Sequence, residues 1–250
     1  KSLVVLGGGV IGMEFVSLFS TLGVEVTVVE MLPKILGPMD EELSTELQQA
    51  FEKRKVKFHL STKVTAVRDG KVIAEHEGEQ LEIPFDKLLV SVGRRAVTDA
   101  LGLETVGVEL NRGAIVVDEH LETSVPGIYA VGDVNGVSML AHTAAREGQV
   151  AVHHIADYPD AMSYRAIPGI VYTDPEIASV GQTEQELRTA GVDYQVHRVP
   201  MSLSGRFVIE NEQGNGFCKL LTDSEGVILG AHMLGNGSSE ILVPAIMAVE

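Results

Sequence analysis

The sequence holds 250 residues, 45% of them apolar, enough chain to bury well over half of its unfolded surface in one large domain or two ordinary ones. With 19 basic against 35 acidic residues its net charge is −16 at pH 7, so nucleic acid and anionic membrane surfaces repel it and neither is expected as a partner. A single cysteine, Cys218, rules out an internal disulfide and a cysteine-based metal site, and in the apolar run Phe217 to Leu221 it reads as a buried, inert thiol.

In chain order, the continuous apolar run Leu3 to Leu6 predicts a strand buried on both faces of a parallel sheet, and the helical spacing of apolar residues predicts a helix over Val10 to Leu22. Val24 to Val29 is a second strand. Asp40 opens a helix through about Lys53, with Glu41 and Glu42 at the positive end of its dipole. Lys57 to Leu60 and Lys63 to Arg68 read as short strands, and Lys71 to Ile83 as a hairpin, turning at Gly78, laid onto the parallel sheet. Leu88 to Val92 is a further buried strand. Residues 1 to about 97 thus form one βαβ unit of Rossmann-like α/β type with a β-hairpin insertion.

The texture then changes. Turn-rich sequence precedes a strand at Ala114 to Val117, a Pro126-Gly127 turn, a strand at Ile128 to Val131 and a helix from about Met139 to Ile155. After Tyr158-Pro159-Asp160 strands predominate (Tyr194 to Val199, Phe217 to Leu221, Val227 to Leu234), with one helix near Glu184 to Thr189. A last helix from about Ser238 is still apolar at Glu250, so the chain is expected to stop in mid-domain. No uncharged apolar run approaches the ~18 residues that span a bilayer, and no secretory signal is present, which makes the cytoplasm the default compartment.

The glycine series Gly7, Gly9, Gly12 meets the requirements of a dinucleotide pyrophosphate. It needs a tight turn, close backbone approach to the phosphates, close helix-on-strand packing, and helix N–H groups aimed at the anion. The series follows a strand and opens a helix. It also meets an acid, Glu30, 18 residues after Gly12, at the end of the second strand. A carboxylate there accepts hydrogen bonds from adenosine ribose hydroxyls and repels a 2′-phosphate, and Met31-Leu32-Pro33 offers no arginine to receive one, so NAD is favoured over NADP. Val131-Gly132-Asp133-Val134, read by itself, is a strand-turn-helix with an aspartate cap.

Taken together, "GGGVIGMEF", "VTVVE", "SVGRR", "TSVPGIYAVGDV", "MLAHTAAREG" and "IPGIVYTDPEIASVG" resemble the pyridine nucleotide-disulfide oxidoreductases, in that family's order and across the whole chain. The resemblance implies an NAD-binding domain (1–97), a central segment completing a FAD site (98–160) and a truncated α+β dimer-interface domain (161–250). It implies that Gly7, Gly8, Gly9, Val10, Ile11, Gly12, Met13 and Glu14 hold NAD, with Glu14 toward the nicotinamide. Glu30 would bind the adenosine ribose, while Val64 and Gly93 line the site. Asp133 would contact the ribityl chain or phosphate region of FAD, and Met139, Leu140, Ala141 and His142 would cover the flavin, the alternative for His142 being backbone contacts at a helix N-terminus. No metal is implied; His153-His154 lacks acidic or cysteine partners in sequence.

The implied reaction is oxidation of dihydrolipoamide by NAD⁺ through FAD. Its partners are a lipoyl domain or free dihydrolipoamide, the acyl-transferase core of a 2-oxo acid dehydrogenase complex, and a second copy in a homodimer. The redox pair Cys-x4-Cys and the acid/base His and Glu fall outside these 250 residues, so the isolated piece is expected to be inactive and to hold no catalytic residue. Other members of the family (an NADH oxidase, a mercuric reductase, a transhydrogenase), a plain NAD-dependent dehydrogenase and a non-enzymatic binding or dimerisation module remain open on the sequence alone.

Overall fold

The computed structural model describes residues 1–211 and 214–250. Two compact units make up the chain, Lys1–Gly93 together with Arg165–Glu250, and Arg94–Tyr164.

In the first unit, β1 (Ser2–Leu6), β2 (Glu25–Val29), β3 (Lys57–His59) and β7 (Lys87–Val90) form a parallel sheet in the order β3-β2-β1-β7. Helix α1 (Val10–Thr21) joins β1 to β2, and α2 (Glu41–Lys53) precedes β3. Leu3 and Val5 of β1 share one core with Met13 and Val16 of α1 and Leu43, Leu47 and Phe51 of α2. These helical residues recur at three- and four-residue spacing, the stripe that buries one helix face. The opposite face of the sheet, through Val4, Leu6 and Val29, packs on Val72 and Ala74.

Those last two residues lie in β5 (Lys71–His76), the middle of a three-stranded antiparallel sheet with β4 (Lys63–Arg68) and β6 (Glu79–Pro84). The expected hairpin is therefore two strands of a three-strand meander. The expected burial of Leu88 to Val92 does not hold: β7 is the sheet edge, and Val90 and Val92 are 63% and 75% exposed.

The C-terminal part of the same unit is a five-stranded antiparallel sheet in the order β10-β11-β14-β13-β12, built from β10 (Gly169–Val171), β11 (Ile177–Gly181), β12 (Gln195–Pro200), β13 (Phe217–Thr222) and β14 (Ile228–Leu234). Helix α5 (Glu184–Ala190) starts in a capping box between Thr183 and Glu186. Helix α6 (Gly205–Glu210) precedes β13. The single terminal helix expected from Ser238 is two, α7 (Ser238–Ile241) and α8 (Val243–Val249), because Pro244 has no N–H to continue the ladder across Leu242. Cys218 is half-buried rather than buried, and burial pushes its thiol pKa up.

The second unit holds a short helix, α3 (Leu103–Val106), the two-residue strands β8 (Leu110–Asn111) and β9 (Ala114–Ile115), a 3-10 turn at Gly132–Asn135 and helix α4 (Ala141–Ile155). The strand expected at Ile128 to Val131 shrinks to one bridge between Glu122 and Tyr129. The Pro126-Gly127 turn brings Ile128 back onto Thr123, and the ladder ends where Ala130 donates to Leu121. Likewise the strand at Ala114 to Val117 stops at Ile115, Val117 making only a bridge to Thr123.

Candidate functional site

The carboxyl ends of β1, β2 and β7 open onto a cleft of about 510 Å³. Gly7, Gly9, Glu30, Val64 and Gly93 all line it, together with Met31, Leu32, Gly37, Pro38 and Ser91. This is the place where a parallel sheet with strands leading off to both sides of β1 leaves a crevice for a ligand.

Three glycines shape the floor, each for a different reason. Gly7 has φ +99°, and a Cβ there would stand 2.4 Å from the Ser91 carbonyl oxygen. At Gly12 a Cβ would meet the Gly7 carbonyl oxygen at 2.2 Å and Ser91 Oγ at 2.8 Å, so this glycine lets α1 lie against the end of β1. Around Gly9 nothing lies within 4 Å of a Cβ position, and Gly9 caps α1 with no side-chain hydrogen bond. The open, uncapped start of a 12-residue helix suits an anion.

Glu30 carries both of its oxygens on the walls of this turn. Oε2 accepts from Gly8 N at 2.5 Å and Oε1 from Leu32 N at 2.7 Å. The carboxylate thus fixes the glycine turn as well as standing in the cleft.

Of the other residues expected at the nucleotide, Val10 and Ile11 lie in the first turn of α1. Met13 is fully buried in the core, leaving only its backbone for any contact. Glu14 accepts from Tyr172 N at 3.0 Å, which ties α1 to the residue after β10, and it does not line the cleft. Ser91, absent from the expected set, donates to Leu6 O at 2.9 Å and contacts Gly7 O at 3.2 Å, buttressing the turn from below.

In the second unit, Asp133 sits in the 3-10 turn, its side chain half-exposed and 4.0 Å from Arg94. Leu140, Ala141 and His142 are exposed at the start of α4, with Met139 half-buried beside them; the helix has Leu140 at its N-cap and no side-chain cap. The carboxylate behind this turn is Glu147, fully buried within α4. It accepts from Gly132 N at 2.5 Å, Asn135 Nδ2 at 3.0 Å and Tyr164 OH at 2.7 Å. Its sequence signal was its place on the buried stripe Thr143, Glu147, Val150.

A buried charged cluster joins the two parts of the first unit. Lys219 of β13, 2% exposed, donates to Asp40 at 2.9 Å and to Glu184 at 2.6 Å, and lies 3.3 Å from Glu42. Burial opposes the charge on Asp40, but the Lys219 hydrogen bond and the neighbouring positive charge outweigh it and hold its carboxyl below the usual range. A carboxyl lowered on folding contributes stability that is complete above the unfolded value of about 4 and is lost as pH falls through the folded value. Urea midpoints are accordingly expected to drop on acidification from pH 5 to pH 3, and Asp40→Asn to drop less over the same range; an equal drop in both proteins would refute this assignment.

Among the described residues no helix is long and apolar enough to cross a membrane, and no group of three or more His, Cys, Asp or Glu could hold a metal ion.

A parallel sheet with a glycine turn after its first strand, an acid at the next strand end and an appended antiparallel domain has the architecture of a dinucleotide-binding protein. The model of the pyridine nucleotide-disulphide oxidoreductases matches residues 1–148, and that of their dimerisation domain matches residues 167–250. The chain belongs to the pyridine nucleotide-disulphide oxidoreductase family.

Among curated relatives, dihydrolipoyl dehydrogenase of Dictyostelium discoideum, a mitochondrial protein, is 42% identical over all of this chain and 53% of its own length. That of Halobacterium salinarum is 40% identical over all of this chain and 54% of its own length. Among solved structures, LpdA of Mycobacterium tuberculosis superposes with a TM-score of 0.88 at 31% identity, covering 99% of this chain and 55% of that one. The HOCl-induced flavoprotein disulfide reductase RclA of Escherichia coli superposes at 0.85 and 29% identity, covering 99% and 58%. The chain thus spans about half the length of the relatives it matches. The cofactors of the family are a pyridine nucleotide and a flavin.

Proposed function

We propose that the protein to which this chain belongs oxidises dihydrolipoamide with NAD⁺ as acceptor and FAD as intermediary (dihydrolipoamide + NAD⁺ → lipoamide + NADH + H⁺), and that this chain supplies the NAD cleft and part of the flavin site. The observation that carries the reading is the cleft itself, where Gly7, Gly9, Glu30, Val64 and Gly93 converge at three strand ends. Identity of 42% over the whole of this chain to a dihydrolipoyl dehydrogenase supports this member of the family.

In this reading residues 1–97 form the NAD domain, 98–160 the flavin-contacting segment and 161–250 the interface domain. Gly7 turns the chain, Gly9 admits the pyrophosphate to the start of α1, and Gly12 packs helix on strand. Gly8, Val10, Ile11 and Met13 present backbone to the nucleotide, and Glu14 orients α1 from the Tyr172 amide. Glu30 receives the adenosine ribose. Both groups fit: the cradle over Gly9 is open to a Cβ and hence to a phosphate, and Asp133 with Leu140 to His142 is exposed, Met139 half-buried beside them, to a second ligand. When bound, flavin and nicotinamide supply two-electron transfer. Dithiol exchange needs a cysteine pair, and Cys218 is alone in this sequence. A homodimer is supported by the dimerisation-domain match and by the exposed Ile241, Val243 and Met247 on the last two helices. A lipoyl domain and a 2-oxo acid dehydrogenase core are its partners in this reading, and the cytoplasm is its compartment.

Calorimetric titration of the chain tests the nucleotide site. NAD is expected to bind more tightly than NADP, and Glu30→Ala to weaken NAD binding roughly ten- to a hundredfold, the scale of one charged hydrogen bond. Tighter NADP binding by the native chain, or unchanged NAD affinity in the variant, would overturn the assignment.

A further inference from the structure

Lys219 belongs to the antiparallel domain, yet its ammonium ends on the cap of a helix in the nucleotide domain. We propose that Lys219 is a positioning residue for the nucleotide cleft, ordering the wall formed by residues 31–39 through its ion pair with Asp40; the inference rests on the nucleotide reading above.

The path is continuous. Asp40 Oδ1 receives both Lys219 Nζ and Glu42 N, so one carboxylate oxygen caps α2 and takes the cation, while Oδ2 receives Glu184 N at the start of α5. One residue earlier, Met39 O accepts from Gln185 Nε2 at 2.9 Å and from Lys34 Nζ at 3.0 Å. Met39 N in turn donates to Leu36 O at 2.7 Å. Leu36 is held at φ +52°, a region a branched side chain rarely adopts, with its side chain 1% exposed and its N–H given to Gly8 O at 2.8 Å. Gly37 and Pro38, between these anchors, line the cleft. A strained turn persists only where its surroundings over-determine it, and here the surroundings come from β13 and α5.

The charges of the cluster also balance. Lys219, Arg188 and Arg198 stand against Asp40, Glu42 and Glu184, with Arg198 on Glu42 at 2.5 Å and Arg188 on Glu184 at 3.1 Å. Removing Lys219 leaves three carboxylates converging without their central cation, and the Asp40 cap is the member joined to the cleft wall.

The test uses the 250-residue chain and two readouts, NAD affinity by calorimetry and amide hydrogen exchange at Leu36 and Met39 without nucleotide. Lys219→Met is expected to accelerate exchange at both amides at least tenfold and to weaken NAD binding about tenfold. Leu242→Ala, in the core of the antiparallel domain away from the cluster, lowers Tm without either effect. If Lys219→Met does not fold, Asp40→Asn reports on the same link, with a smaller change in the same two readouts. Unchanged exchange at Leu36 and Met39 in a folded variant overturns the positioning role. Accelerated exchange in the variant, with a native chain that binds no NAD, leaves the ordering of the wall standing and overturns its link to nucleotide.

Discussion

Gly12→Ala is expected to destabilise the protein by about 3 kcal/mol and to abolish nucleotide binding, whereas Gly9→Ala folds as the native chain does and loses binding alone. The two positions differ in what surrounds them. A methyl group on Gly12 meets a backbone carbonyl at 2.2 Å, and that carbonyl belongs to Gly7, already confined at φ +99° against Ser91. Ser91 Oγ, at 2.8 Å, can rotate away but the Gly7 backbone cannot, so α1 must shift off β1, a distortion costing roughly 1–3 kcal/mol or more. At Gly9 the backbone is at φ −74°, open to any residue, and no protein atom lies within 4 Å of the new methyl. Such a substitution costs at most about 0.5 kcal/mol in stability. In the proposed reading its methyl occupies the space where the pyrophosphate approaches the helix start. Thermal melts separate the pair, since about 3 kcal/mol corresponds to roughly 6–12 °C in a chain of this size. Calorimetry then decides the site: a Gly9→Ala variant that binds NAD as tightly as the native chain removes the pyrophosphate from this turn.

Much of this was legible in the sequence because its signals are local. The apolar run before Gly7, the glycine spacing and the acid after β2 depend on residues within one βαβ unit, and one cleft is lined by Gly7, Gly9 and Glu30 together. Asp40 caps helix α2 and β4 spans Lys63–Arg68, as expected, because a cap and an alternating stretch each announce themselves.

What escaped was set by distant partners. Val90 reads as buried by its apolar neighbours, but β7 is an edge strand, and edge position is a property of the sheet. The short strands near residues 114–131 are weak because their backbone groups are shared among turns. Ser91, Glu147 and Lys219 are polar residues whose value lies in what they meet 84, 15 and 179 positions away. Lys219 did leave a trace: it alternates with Phe217 and Leu221 on one buried face of β13, a position at which an unpaired lysine is too costly to keep.

Glu147→Ala is expected to unfold the 94–164 unit more readily by about 3–5 kcal/mol, and Glu147→Gln by about 1–2 kcal/mol. The alanine variant strands three donors, Gly132 N–H, the Asn135 amide and the Tyr164 hydroxyl, each costing roughly 1–3 kcal/mol when buried without a partner. The glutamine variant keeps one acceptor and sets its own N–H₂ against a donor. A second readout separates this bonding from simple loss of packing. Burial, and after it the hydrogen bond and charge of Glu147, push the Tyr164 phenol well above its usual pKa. A group raised on folding contributes stability that is intact below the unfolded value of about 10 and is lost as pH rises beyond it. Ultraviolet titration of the native chain should therefore show Tyr164 ionising above the usual phenol range, and Glu147→Gln should lower that ionisation. A Tyr164 titration unmoved by that substitution would mean that the carboxylate does not hold the turn. In the proposed reading, where Asp133 of that turn contacts flavin, the order native, glutamine, alanine is also the order in which flavin is expected to be retained.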